Sequence, residues 1–159
     1  VIGGIFPDGA VTAADMPAQL AIAASRTFAD KVKLTVEWHH FFEKSADNGF
    51  TAAGAVLGNT NEYLAGVEYY INNKWLVSAG VRHTNYGFAD NELSDMNFNM
   101  DNYALGIGGA YKVNEKVTVN AGYMHSFYSD HKTPANAVGL ATIYERKNDT
   151  WGVGVDIKF

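Results

Sequence analysis

Several residues of this chain are equipped for chemistry. Five histidines invite haem or metal ligation, and His39 and His40 stand side by side. Neighbours on a β-strand point to opposite faces, so this pair cannot chelate one ion together. His39 is expected to face inward, and His40, His83 and His125 outward near strand ends, where an amphipathic ring suits an interface better than a metal. No cofactor or metal is predicted. Lys33, Glu37, His39, Glu68 and Arg82 carry acid-base groups on one strand face. They are spread over several strands, whereas an acid-base site needs its groups within hydrogen-bond reach. An internal network of hydrogen bonds and ion pairs is expected, and no enzymatic activity. Arg82 falls opposite Leu64, so its counter-ion comes from another strand, a loop or a ligand. That makes Arg82 the leading candidate for holding a carboxylate. Met96, Phe98 and Met100 recur at alternate positions and suit an adaptable apolar contact surface. The acidic stretch from Asp90 to Asp95, with Asp101, is expected to be a solvated loop rather than a calcium site. Gly106, Gly108 and Gly109 lie inside a strand pattern, not between a strand and a helix, so they form no dinucleotide loop.

The elements that position these groups come from a phrase used three times: Phe28-Ala-Asp-Lys31, Ile71-Asn-Asn-Lys74 and Val113-Asn-Glu-Lys116. Each is followed by apolar/polar alternation, the pattern of a tight turn entering a strand with one apolar face. The lysines lie 43 and then 42 residues apart, and 43 more residues reach Phe159. Such a period marks one supersecondary unit used repeatedly. Seven strands are predicted, at about 18–28, 32–43, 62–71, 75–86, 102–113, 117–128 and 150–159. Three-residue turns join alternate pairs, and long polar loops at about 44–61, 87–101 and 129–149 join the others. The turns set the register. Tyr69 pairs with Val77, Arg26 with Leu34 and Tyr111 with Val119, and each hairpin continues in step.

A soluble sandwich and a membrane barrel both alternate, with opposite faces turned to water. Short turns on one rim, long loops on the other, and aromatics near strand ends favour the barrel. Those aromatics are Trp38, Phe42, Tyr63, Trp75, Tyr103, Tyr111, Phe127 and Trp151. No run approaches the roughly 18–20 apolar residues of a membrane helix. A net charge of -5 speaks against a nucleic-acid grip. The absence of cysteine excludes a disulfide scaffold and a zinc-thiolate centre. The last strand places Trp151, Val153, Val155, Ile157 and Phe159 on one face, a pattern that resembles the carboxyl-terminal signal read by the outer-membrane barrel-assembly machinery. Single-chain bacterial barrels have even strand numbers. Seven is odd, so the chain is expected to be the carboxyl-terminal part of a larger barrel, with residues 1–16 as an external loop segment and 17–159 as wall.

Met16-Pro-Ala-Gln-Leu20, Glu37-Trp-His-His-Phe-Phe-Glu43, Asn61 through Tyr70 and Val77 through Gly87 resemble the second half of FadL-type outer-membrane transporters. That family comprises long-chain fatty-acid and aromatic-hydrocarbon channels, some labelled hemin receptors. The resemblance runs from residue 16 to Phe159. It implies an all-β, antiparallel transmembrane β-barrel, of which this chain supplies seven of 14 strands, in the bacterial outer membrane among its lipids. It also implies diffusion of a hydrophobic small molecule, with the plug and gate carried by an absent amino-terminal half. Two other functions are weighed against it: a haem-binding receptor, and a structural or adhesive surface protein. The expected ligand contacts in this half are Arg82, Glu37, His39, Glu68, Met96, Phe98 and Met100.

Overall fold

The computed structural model describes residues 11, 13–47, 56–88, 99–129, 131–132 and 143–159. The alternating segments form seven long strands: β1 (Gln19–Phe28), β2 (Val32–Phe41), β3 (Thr60–Tyr70), β4 (Trp75–Asn85), β5 (Asn102–Lys112), β6 (Val117–Tyr128) and β9 (Lys147–Ile157). They make one antiparallel sheet in chain order, with β1 and β9 at its two edges. Between β6 and β9, the segment expected to be loop contains a two-stranded hairpin, β7 (His131–Lys132) with β8 (Ile143–Tyr144). β9 begins at Lys147, earlier than alternation suggests, because its ladder with β6 continues to Phe127. β2 stops at Phe41, where the chain turns into a short 3-10 helix, Glu43–Ser45.

The turn-derived register holds in all three hairpins. Tyr69 lies opposite Val77, Arg26 opposite Leu34 and Tyr111 opposite Val119, with Leu64 opposite Arg82. The turns themselves are of two kinds. Asn72 Oδ1 accepts the Lys74 and Trp75 N–H groups at 2.8 and 3.0 Å, and Asn114 Oδ1 accepts those of Lys116 and Val117 at the same distances. Each asparagine thereby closes its turn with a side chain. The first turn has no asparagine. It closes through Lys31 N–H to the Phe28 carbonyl at 3.0 Å, with Ala29 and Asp30 at φ of 47° and 53°. Aspartate tolerates this left-handed region, but alanine is held there against its Cβ. Ala29→Gly is therefore expected to raise stability by about 1 kcal/mol, measured as a higher urea midpoint of the folded protein with an unchanged m-value.

Packing departs from that of a soluble domain. Among the described residues, only Met100 and Ala104 are buried and apolar, while Ile107, Trp151 and Val153 are 66, 78 and 70% exposed. The exposed apolar side chains share one face: Ile22, Leu34, Val36, Val67, Val77, Val81, Leu105, Ile107, Val153 and Val155. The opposite face carries small and polar residues and bounds a trough. Among the described residues no core closes over the apolar face, which leaves a contiguous apolar wall open on one side of the sheet.

Candidate functional site

The trough measures about 860 Å³, and its floor is built from residues that scarcely rise above the backbone. Register aligns Gly66, Gly80 and Gly106 in one row across β3, β4 and β5, and Ser78, Gly108, Gly122 and Gly152 in the next across β4, β5, β6 and β9. Packing does not require all of these glycines. A Cβ added at Gly66 or Gly106 would meet nothing nearer than 3.7 Å, and one at Gly152 nothing within 4 Å. The missing side chains therefore leave free space in the trough. Lys33, Glu68 and Leu76 border it toward the short turns, and Glu37, Leu64 and Arg82 toward the long loops.

The ionisable groups fall into two clusters at opposite ends. Near the turns, Lys33 Nζ donates to Glu68 Oε1 at 3.3 Å, and Tyr70 Oη donates to Glu68 Oε2 at 3.0 Å. The expected ligand contact Glu68 is thus already engaged. Near the loops, His39 lies between two carboxylates, with Nε2 at 3.2 Å from Glu37 and Nδ1 at 3.6 Å from Glu62. Thr84, 1% exposed, donates to the other Glu62 oxygen at 2.8 Å. Glu62 was not apparent as a partner of His39 in the sequence, because β2 and β3 are joined by a long loop that sets no register; Thr84 falls opposite Glu62 by the same short turn that sets Leu64 opposite Arg82. The two strands meet with His39 opposite Glu62.

Arg82 stands beside this cluster and joins neither end. Its Nε is buried without a hydrogen-bond partner, and no ion pair reaches it among the described residues. A buried, unsatisfied, charged donor is costly. Asn102, diagonal to Arg82 on β5, has the other such atom, Oδ1, while its amide donates to the Met100 carbonyl at 3.2 Å. Met100, just before β5, is 5% exposed; Met96 and Phe98 lie outside the described residues. So does the acidic stretch 90–95, while Asp101 accepts hydrogen bonds from Asn85 Nδ2 at 2.9 Å and Tyr86 N–H at 2.7 Å. Burial pushes the Tyr86 phenol above its ordinary range, with the Glu62 charge adding to the effect. Burial likewise raises the Glu43 carboxyl, against a hydrogen bond with Thr60 that lowers it.

The outward histidines are each engaged. His40 Nδ1 lies 2.8 Å from Asn61 Oδ1, which also accepts the Trp38 indole N–H at 3.1 Å. The His83 ring stacks at 4.2 Å on Tyr103, and His125 Nδ1 contacts Asp149 at 2.7 Å. Register places Trp38, Tyr63, His83, Tyr103 and Phe127 in one row across five strands. Among the described residues no group of three or more histidines and carboxylates has a geometry that would hold a metal.

No protein-family profile and no curated protein matches this chain. Among solved structures it matches the crystal structure of a Pseudomonas aeruginosa FadL homologue, with a TM-score of 0.63 and 18% identity. The match covers 87% of this chain and 34% of that one. This seven-stranded antiparallel sheet therefore has the fold of part of a FadL homologue, spanning about a third of its length.

Proposed function

We propose that this chain is wall and ligand path of an outer-membrane β-barrel that passes hydrophobic small molecules with a polar head, such as long-chain fatty acids. The observation that carries this reading is a trough floored by glycines and ending at an arginine with no ion pair among the described residues, on the reverse side of an exposed apolar wall. The wall suits lipid contact. His83 in the outer aromatic row and Trp75, whose ring lies tilted 4.4 Å from that of Tyr111 near the turns, are eight residues apart on β4. At about 3.3 Å per residue that is roughly 26 Å along the strand, or about 20 Å along the membrane normal at a tilt of roughly 35–45°, somewhat less than the ~25 Å apolar band of such barrels.

External loops would capture the ligand, Arg82 would hold its head, and the tail would lie along the glycine floor without meeting side chains. The rest of the barrel, including the strands that flank β1 and β9, would complete the path and supply the gate. Phe159 and the alternate apolar residues of β9 would be the segment offered to the assembly machinery. No bond is made or broken in this scheme.

Filling the floor tests it. Leucine at both Gly122 and Gly152 meets no close backbone, since an added Cβ at Gly122 stays 3.5 Å from the nearest atom and one at Gly152 is free. The double variant should assemble normally, because glycine is a poor strand residue. Uptake of a long-chain fatty acid by cells expressing the full-length protein should fall about tenfold or more, since each leucine adds bulk directly in the path. Undiminished uptake by a correctly assembled variant would remove the trough from the route.

A further inference from the structure

We infer that the Glu37–His39–Glu62 triplet is a proton-responsive selector of the ligand head group, setting how strongly Arg82 attracts an anion. The inference rests on the reading that a polar head reaches Arg82. Glu37 shares a row with Arg82, with only Leu64 between them, and Glu62 is diagonal to it across β3 and β4. Diagonal neighbours on one sheet face are within reach of a side chain as long as arginine. Yet neither carboxylate pairs with Arg82; both turn to His39, and Glu62 also takes the Thr84 hydroxyl.

The charges explain the consequence. With His39 protonated, two carboxylates face two cations, and the histidine bridges both acids. Arg82 is then left to an incoming anion. With His39 neutral, the same four groups carry one net negative charge, and a carboxylate no longer held by a cation becomes a competitor for the guanidinium. Both changes disfavour an anionic head and leave an uncharged one unaffected. Histidine is the side chain whose charge changes between pH 5 and 8.

Among the described residues, no other titratable group stands between the two carboxylates as His39 does. β1 offers Ala21 opposite His39 and has no ionisable residue on this face. β2 contributes Lys33 as well as Glu37, and Lys33 is paired with Glu68 of β3 at the far end. From β4 comes Arg82, and just beyond it Tyr86, whose phenol is pushed away from the range in question. Glu43 and Lys44 follow β2 in the short helix, where burial raises the Glu43 carboxyl against a hydrogen bond with Thr60; the His39→Gln variant separates its titration from that of the triplet. Tyr128 of β6 and Arg146 stack together near Tyr86, with the Arg146 guanidinium 5.1 Å from the ring centre.

The test uses the full-length protein in lipid nanodiscs and two probes with the same tail: dodecanesulfonate, charged at every pH used, and uncharged dodecanol. Sulfonate affinity should fall about five- to tenfold between pH 5.5 and 8, as expected for one unit of charge within a few ångströms of a partly wet site, while dodecanol binding stays level. His39→Gln should flatten the sulfonate profile. Glu62→Gln should tighten sulfonate binding at pH 8, and His83→Gln, on the outer face, should keep the slope. A level wild-type profile, or a slope that survives His39→Gln, overturns the inference. Sulfonate binding that ignores Arg82→Gln at every pH would instead overturn the placement of the head group itself.

Discussion

Replacing Arg82 with methionine is expected to weaken binding of a long-chain carboxylate by roughly 10- to 100-fold while leaving the barrel at least as stable, a combination that a structural arginine would not produce. A charge-assisted hydrogen bond to a carboxylate is worth about 1.5–3 kcal/mol, which corresponds to that range of affinity. Stability should move the other way because Arg82 Nε is buried and unsatisfied, and methionine keeps the apolar stem while removing the orphaned donor. Equilibrium binding of a fluorescent fatty acid and a urea titration on the same preparation measure both quantities. Lost stability with unchanged affinity would mean that Arg82 holds the wall together rather than the ligand.

The second large effect concerns the face opposite the trough. Ile107 sits at the middle of β5 and is 66% exposed, between Ala79 and Tyr123. On a water-facing sheet, Ile107→Arg would change stability by no more than about 0.5 kcal/mol. Facing lipid near the bilayer midplane, the same substitution should cost about 2–4 kcal/mol and sharply reduce the folded, membrane-inserted fraction. Thr35→Lys on the trough side is the control and should change stability by less than about 1 kcal/mol. The fraction migrating as folded barrel on an unheated gel, together with the urea midpoint, distinguishes the two faces. Equal, small effects at both positions would argue for a sheet exposed to water on both sides.

How much was legible in advance varies with the connection between strands. A three-residue turn and period-2 alternation together fix which residues oppose each other, which is why Leu64 opposite Arg82 could be read from residues 71–75 alone. Local chemistry in the turns was less uniform than the repeated phrase suggests: two close on an asparagine side chain and one on left-handed backbone at Ala29 and Asp30. Strand ends were off by up to three residues where pairing, rather than local pattern, decides the boundary, as at Lys147. Met100 shows the same dependence on context. Its spacing fits a strand extension or an exposed contact surface, and the fold buries it at the outer end of the sheet.

The amino-acid sequence by itself determined the all-β antiparallel class, the three short-turn hairpins, the two faces and the isolation of Arg82 from its nearest strand partner. Those properties follow from side-chain alternation and from turns too short to permit a slipped register. Only the tertiary structure decided how the hairpins meet one another across the long loops. A long loop constrains its ends weakly, so the alignments of β2 with β3, β4 with β5 and β6 with β9 are set by the hydrogen-bonded ladders and packing of the whole sheet. Those alignments bring His39 of one hairpin onto Glu62 of the next and leave Arg82 beside them with no ion pair among the described residues, at the end of a floor made smooth by glycines from five separate strands.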